Sequence, residues 1–329
     1  MNPARILELA GAGWGSAALL AANECGVFAA LANGPLELAA FSARTQLPER
    51  SGGMLLDALV ALGLVEQEGA AYRNSPEAAA FLVPGRPGSL AGALGYNHAL
   101  LPAWARLAES VRTDQPVVPS PTYLGADPQR TRAFVLGMHH RALAMGHAIA
   151  GAIDTTGRRR LVDVAGGPGT LASILCRRAP ELSATVLELG PIAAVGRELV
   201  AEAGLAARLS FVDCDVLSGD LGAGHDLALV SGLLHREPPE ACRALLARLH
   251  AAMAPGGAVY LVDVMRDESR AGPPFAALFA LNMLLTSERG GAHADVDHVA
   301  WLNEVGFREP RITRLPAPMV HTIVSAVKP

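Results

Sequence analysis

Apolar residues recur at helical spacing over the first 95 positions and then, beyond Arg160, gather into short β-rich runs, so the chain changes period near its middle. The first part predicts helices over 6–20, 27–31, 36–43 and 54–62, broken at Asn33-Gly34-Pro35 and Leu47-Pro48. Residues 65–72, split by Gly69, predict a small hairpin. Helices followed by a hairpin spell a winged-helix module. Residues 96–150 read as helical, with Trp104, Leu107 and Val111 on one face and Phe134, Met138, Ala142 and Met145 along another. From Arg160 the pattern predicts strands over 161–165, 184–189, 209–215, 226–234 and 258–264, alternating with helices, which is the signature of a mostly parallel sheet covered on both faces. Two closing runs, 311–315 and 321–327, are joined by a short link and are expected to pair antiparallel.

A length of 329 residues favours two domains, and 51% hydrophobic against 18% charged residues is enough for a sizeable core. Glu8, Asn23 and Glu24 interrupt the Ala/Leu-rich start and no basic stretch precedes it, so a buried amphipathic helix is expected there rather than a signal peptide or a membrane span. Cys25, Cys176, Cys214 and Cys242 form no CxxC pair, which signals neither a disulfide framework nor a zinc site and fits a reducing cytoplasm. No carboxylate and histidine spacing points to any other metal.

The net charge is −4, and Lys328 is the single lysine. That removes phosphate loops of the Walker type, Schiff-base lysines and Ser/Lys dyads, each of which needs an interior lysine. It also bears on the winged helix. No basic residue occurs from Ser51 to Tyr72, while Asp57, Glu66 and Glu68 add negative charge, so nucleic acid is not an expected partner.

The segment LVDVAGGPG at 161–169 runs a strand into a glycine-rich turn, and Glu188 follows about twenty residues later, where a carboxylate can accept both ribose hydroxyls of a nucleoside. Gly167-Pro168-Gly169 followed by Ala172 also satisfies the dinucleotide pattern GxGxxA, which leaves an NAD-dependent oxidoreductase open. Asp163 favours an adenosyl cofactor, because its charge opposes a pyrophosphate and attracts an ammonium or a sulfonium. The third strand ends at Asp213-Cys214-Asp215-Val216, where Asp215 either meets an adenine amino group or closes a turn.

Taken in order, these segments resemble the S-adenosylmethionine-dependent O-methyltransferases of plant phenylpropanoid and bacterial polyketide metabolism. The family's VDVGGGxG is matched by VDVAGGPG at 162–169, its DLP by ELGP at 188–191, its GDmF by CDV at 214–216 and its LHDWxDE by LHREPPE at 234–240. Pro255-Gly256-Gly257 leading into Tyr260 to Asp263, and EVGF at 304–307, also fall where the family has them. The resemblance implies a Rossmann-like, seven-stranded, mostly parallel sheet behind an N-terminal all-helical winged-helix dimerisation domain. The divisions it suggests are 1–95 for the dimerisation domain, 96–155 for a helical linker and substrate lid, and 156–329 for the catalytic domain. It further implies a homodimer, S-adenosyl-L-methionine as cofactor and a small aromatic, phenol-like acceptor held between the domains.

The cofactor contacts so implied fall on Asp163, Gly166, Gly167, Glu188, Asp215, Val216 and, at the position of a family lysine, Ser231. His235 stands at the family's catalytic histidine. In-line methyl transfer chiefly needs alignment, and an imidazole of ordinary pKa about 6.5 can take the proton of a phenol near 10 as the C–O bond forms. The surroundings depart from the family: Arg236 and Glu237 replace an acid and a tryptophan, His293 stands where a glutamate orients the histidine, a second glutamate falls around Ser325, and Ala165 replaces the first loop glycine. Met138, His139, Asn282, Met283 and Thr286 are the expected acceptor contacts, a thioether-rich wall suiting a flat aromatic ring. The altered histidine surroundings keep one further reading open, a family member that binds the cofactor but catalyses hydroxylation, decarboxylation or a pericyclic step.

Overall fold

The computed structural model describes residues 1–86 and 88–329 and divides into two compact units, Met1–Leu101 and Pro102–Pro329. The expected helical stretch 96–155 is thereby split, most of it belonging to the second unit.

In the first unit the helices Ala4–Glu24, Val27–Ala30, Leu38–Thr45 and Glu49–Ala61 are joined by a three-stranded antiparallel sheet made of β1 (Leu36–Glu37), β2 (Val65–Glu68) and β3 (Ala71–Asn74). Gly69, at φ +60, makes the predicted turn between β2 and β3. Phe28, Phe41, Leu56 and Leu59 are fully buried at the centre. The first helix departs from expectation. Of its side chains only Leu20 and Ala22 are buried, whereas Ile6, Leu7, Leu9 and Trp14 stand exposed, Trp14 by 81%. Its apolar positions run around more of the cylinder than one unit's core can cover.

The second unit is built on a seven-stranded sheet of β4 (Arg160–Val164), β5 (Ser183–Glu188), β6 (Leu209–Asp213), β7 (His225–Ser231), β8 (Met253–Asp263), β9 (Arg308–Arg314) and β10 (Thr322–Val327). Their order is β6-β5-β4-β7-β8-β10-β9. β10 is antiparallel to both β8 and β9, and the other pairs are parallel. Alternation along the strands sends Val162, Val164, Ala228, Val230, Val259 and Leu261 to one core and Leu161, Val186, Leu227, Leu229 and Val262 to the other. The strand order reverses between β4 and β7. There the carboxyl ends of neighbouring strands diverge into a crevice, which is where ligands of open α/β sheets bind.

Candidate active site

Asp163 lies inside β4 with Val186 on one side and Leu229 on the other, so its carboxyl is set among aliphatic side chains and is 1% exposed. Both of its oxygens are buried without a hydrogen-bond partner. Burial, with the Glu188 charge adding to it, pushes its pKa up to about 7. The glycine loop folds back over it: a Cβ on Gly166 would stand 2.4 Å from the Asp163 carboxyl carbon, so no side chain fits there, and Gly167 takes φ +56. Ala165, in place of the family's glycine, is held at φ +53. Glu188 ends β5, where Gly167 N–H donates to one carboxylate oxygen at 2.8 Å and Leu189 N–H to the other at 2.7 Å. Burial raises its pKa while these two bonds draw it down.

An orphaned, buried carboxyl over a cradle that admits only glycine fits a cationic group brought close to backbone, and Glu188 keeps lone pairs beyond its two backbone bonds. These residues therefore fit an adenosyl cofactor bearing an ammonium and a sulfonium. The remaining expected contacts are placed less directly. Asp215 is exposed and closes its own turn, accepting from Leu217 N–H and the Ser218 hydroxyl at 3.0 Å each. Val216, next to it, is buried with its side chain packed in the core. Ser231 is half-buried at the carboxyl end of β7, opposite Val262.

Two strand ends meet beside this crevice. His235 lies in the short helical turn Leu234–Arg236 after β7, and Asp263 is the last residue of the neighbouring β8. The register brings His235 Nδ1 to 2.5 Å from Asp263 Oδ1, while His235 N–H donates to Oδ2 at 3.2 Å and Val264 N–H to Oδ1 at 2.7 Å. Burial by itself would raise the Asp263 pKa, but the His235 charge and hydrogen bond carry it below the usual carboxylate range. Two further histidines near Asp263 stay neutral: burial lowers His298, and it lowers His321, beside Arg141, to about 4. A carboxylate on Nδ1 fixes the tautomer and leaves Nε2 as the proton acceptor.

The residue that meets His235 Nδ1 is Asp263, and neither His293 nor Ser325, which stand at the family's two glutamate positions, makes that contact. His293 Nε2 meets the Glu237 carbonyl at 2.8 Å and its ring packs edge-on against Trp301; Ser325 lies within β10 opposite Tyr260. Phe279 was also missed. It stands edge-on to His235 with centroids 4.9 Å apart, on the helix Pro274–Thr286.

Of the expected acceptor residues, Met138, His139 and Asn282 are half-buried and Met283 is buried. His139 Nδ1 pairs with Thr170 Oγ1 at 2.8 Å, which places it against the helix that follows the glycine loop, and burial lowers its pKa. Thr286 is buried at the end of the helix Pro274–Thr286; its hydroxyl donates to the Asn282 carbonyl, and its own carbonyl accepts from the Tyr123 hydroxyl.

Known proteins resemble the chain over nearly its whole length. The O-methyltransferase domain family matches residues 104–308 and the O-methyltransferase dimerisation domain residues 7–84. The chain is 34% identical to the 3-hydroxy-5-methyl-1-naphthoate 3-O-methyltransferase of Streptomyces sahachiroi, over 99% of this chain and 95% of that one. It is 38% identical to the tetracenomycin polyketide synthesis 8-O-methyl transferase TcmO of Streptomyces glaucescens, over 96% and 95%. The crystal structure of human N-acetylserotonin methyltransferase in complex with S-adenosylmethionine superposes with a TM-score of 0.90 at 25% identity, covering 100% of this chain and 98% of that one. The oxidoreductase reading falls away. The chain belongs to the O-methyltransferase family, as an S-adenosylmethionine-dependent enzyme with an N-terminal dimerisation domain.

Proposed function

We propose that this enzyme methylates a phenolic hydroxyl of a small aromatic polyketide-type metabolite, with His235 as general base. The observation that carries the reading is the His235–Asp263 pair at 2.5 Å, with Phe279 beside it. The activities named for the two Streptomyces relatives support the substrate class.

S-adenosylmethionine supplies an electrophilic methyl group. Asp163 holds the cationic end of the cofactor, Gly166 and Gly167 let it approach the backbone, and Glu188 takes the ribose hydroxyls, with Asp215 and Ser231 at the margins. Phe279 offers its ring to a flat acceptor, and Met138, His139, Asn282 and Met283 lie on the helices that would wall it. Nε2 of His235 takes the phenolic proton as the new bond forms; the resulting imidazolium is stabilised by Asp263, which is already ionised. Base catalysis of this kind contributes typically about 10²–10⁴-fold.

The exposed apolar side of the first helix, within the matched dimerisation domain, supports a homodimer. Four unpaired cysteines support a reducing, cytoplasmic setting.

The test is methyl transfer from labelled S-adenosylmethionine to a panel of hydroxynaphthoates and larger phenolic polyketides, run with wild type and His235→Ala. Labelled methyl ethers from the wild type, with kcat reduced at least about a hundredfold in the variant, are the expected result. Label on nitrogen or carbon, or an undiminished variant, would sink it.

A further inference from the structure

Where the family has an acid after its histidine, this chain has Arg236, and the structure is built around that guanidinium. Nη2 donates to Ser120 Oγ at 2.8 Å and to Tyr123 Oη at 2.7 Å, and the guanidinium carbon lies 5.4 Å from the centre of the Tyr123 ring. Both acceptors are themselves fixed. Tyr123 donates its hydroxyl hydrogen to the Thr286 carbonyl at 2.5 Å, while Ser120 gives its N–H and its hydroxyl to the Glu288 carboxylate at 3.0 and 2.8 Å. The turn is gripped from its other side as well: Ser287 Oγ donates to the Arg236 carbonyl at 2.9 Å and Gly291 N–H to the His235 carbonyl at 2.7 Å.

These bonds reach both helices that bear the proposed acceptor contacts. The Tyr123 ring meets Phe134 of the helix Pro128–Gly151 with centroids 4.9 Å apart, and Thr286 closes the helix carrying Phe279. We infer that Arg236 is a positioning residue for methyl transfer, locking the His235 turn to those two helices through Ser120 and Tyr123. The inference rests on the reading of His235 as base. Arginine suits the role because a single guanidinium nitrogen serves both acceptors while the planar cation lies over the Tyr123 ring, a placement that the compact, strongly hydrated ammonium of lysine matches less well.

The test compares wild type, Arg236→Ala, Arg236→Lys, Tyr123→Phe and His235→Ala for kcat, acceptor KM, cofactor Kd, the pH profile of kcat and thermal stability. Arg236→Ala should lower kcat about a hundredfold, the scale of a misplaced catalytic group, with cofactor Kd held within about twofold. It should also displace the pH limb that wild type and His235→Ala distinguish. Added guanidinium should restore much of the loss where ammonium does not, and Arg236→Lys should fall between. Should Arg236→Ala not fold, Tyr123→Phe, which removes one acceptor, carries the test with an expected drop of about tenfold. Wild-type kcat and pH profile in Arg236→Ala would overturn the inference. So would a loss that guanidinium fails to restore alongside an unaffected Tyr123→Phe. An active His235→Ala would instead overturn the base assignment, whatever the arginine variants do.

Discussion

Cofactor binding should be linked to the proton on Asp163. In the free enzyme burial raises this carboxyl from 3.8 to about 7, a shift worth about 4 kcal/mol against the ionised form. The form that attracts an ammonium and a sulfonium is the ionised one, so below pH 7 binding must expel the proton. Affinity should then fall with a slope approaching about tenfold per pH unit well below 7, about 16-fold between pH 7 and 5.5, and flatten above 7 until the ligand's own ammonium, with a reference pKa of about 7.7–8.0, begins to lose its charge. Calorimetric titration with S-adenosylmethionine in two buffers of different ionisation enthalpy reads this directly. Release should approach about nine-tenths of a proton at pH 6 and about half at pH 7.

Asp163→Asn is the control that removes other titrating groups from the comparison. Its affinity at pH 7.5 should be far lower and its acidic slope lost. Stability should move the other way. Because the folded pKa is raised, the contribution of Asp163 to stability is fully present below pH 3.8 and lost as pH climbs through about 7. The asparagine variant should therefore be the more stable cofactor-free protein at pH 8, by up to about 4 kcal/mol. A wild-type affinity that is level from pH 5.5 to 7, or a variant with the same slope, would refute this reasoning.

Three further outcomes follow from the site. Asp263→Asn keeps the shape at His235 Nδ1 but presents an amide that can stabilise the wrong tautomer, so kcat should drop about 10²–10⁴-fold with cofactor affinity unchanged by calorimetry. Ala165→Gly relieves a left-handed alanine at φ +53 and should raise stability by up to about 1 kcal/mol in urea unfolding, after the entropy of the freer unfolded chain is deducted. Gly290→Ala would push a methyl to 2.7 Å from the His235 carbonyl oxygen; it should destabilise by about 1–3 kcal/mol and reduce kcat more than it changes cofactor Kd.

What the sequence reveals about this protein is mostly what is local. The turn at 165–169 and the carboxylate of Glu188 are legible because strand period, glycine and spacing lie within about thirty residues of one another. His235 is legible from its motif. Its partner is not, because Asp263 joins it across two strand ends 28 positions apart, and only the register of β7 on β8 brings them together. Motif position instead suggested His293, whose imidazole serves the Glu237 carbonyl. Arg236 read as a defect in a family pattern; its acceptors, 113 and 116 positions away, make it a junction. The first helix fails differently. Its periodicity announces burial without saying against what, and most of its large apolar residues stand exposed.

That exposed helix gives the enzyme an optical handle of its own. Of the three tryptophans, Trp301 is sealed in the core beside His293 and His298, while Trp14 stands almost wholly in solvent in the single chain. An indole leaving water emits at shorter wavelength, so subunit pairing over this face should shift emission to the blue as concentration rises, without a label. Trp14→Phe would silence that signal and leave Trp104 and Trp301, both in the catalytic unit, to report that unit.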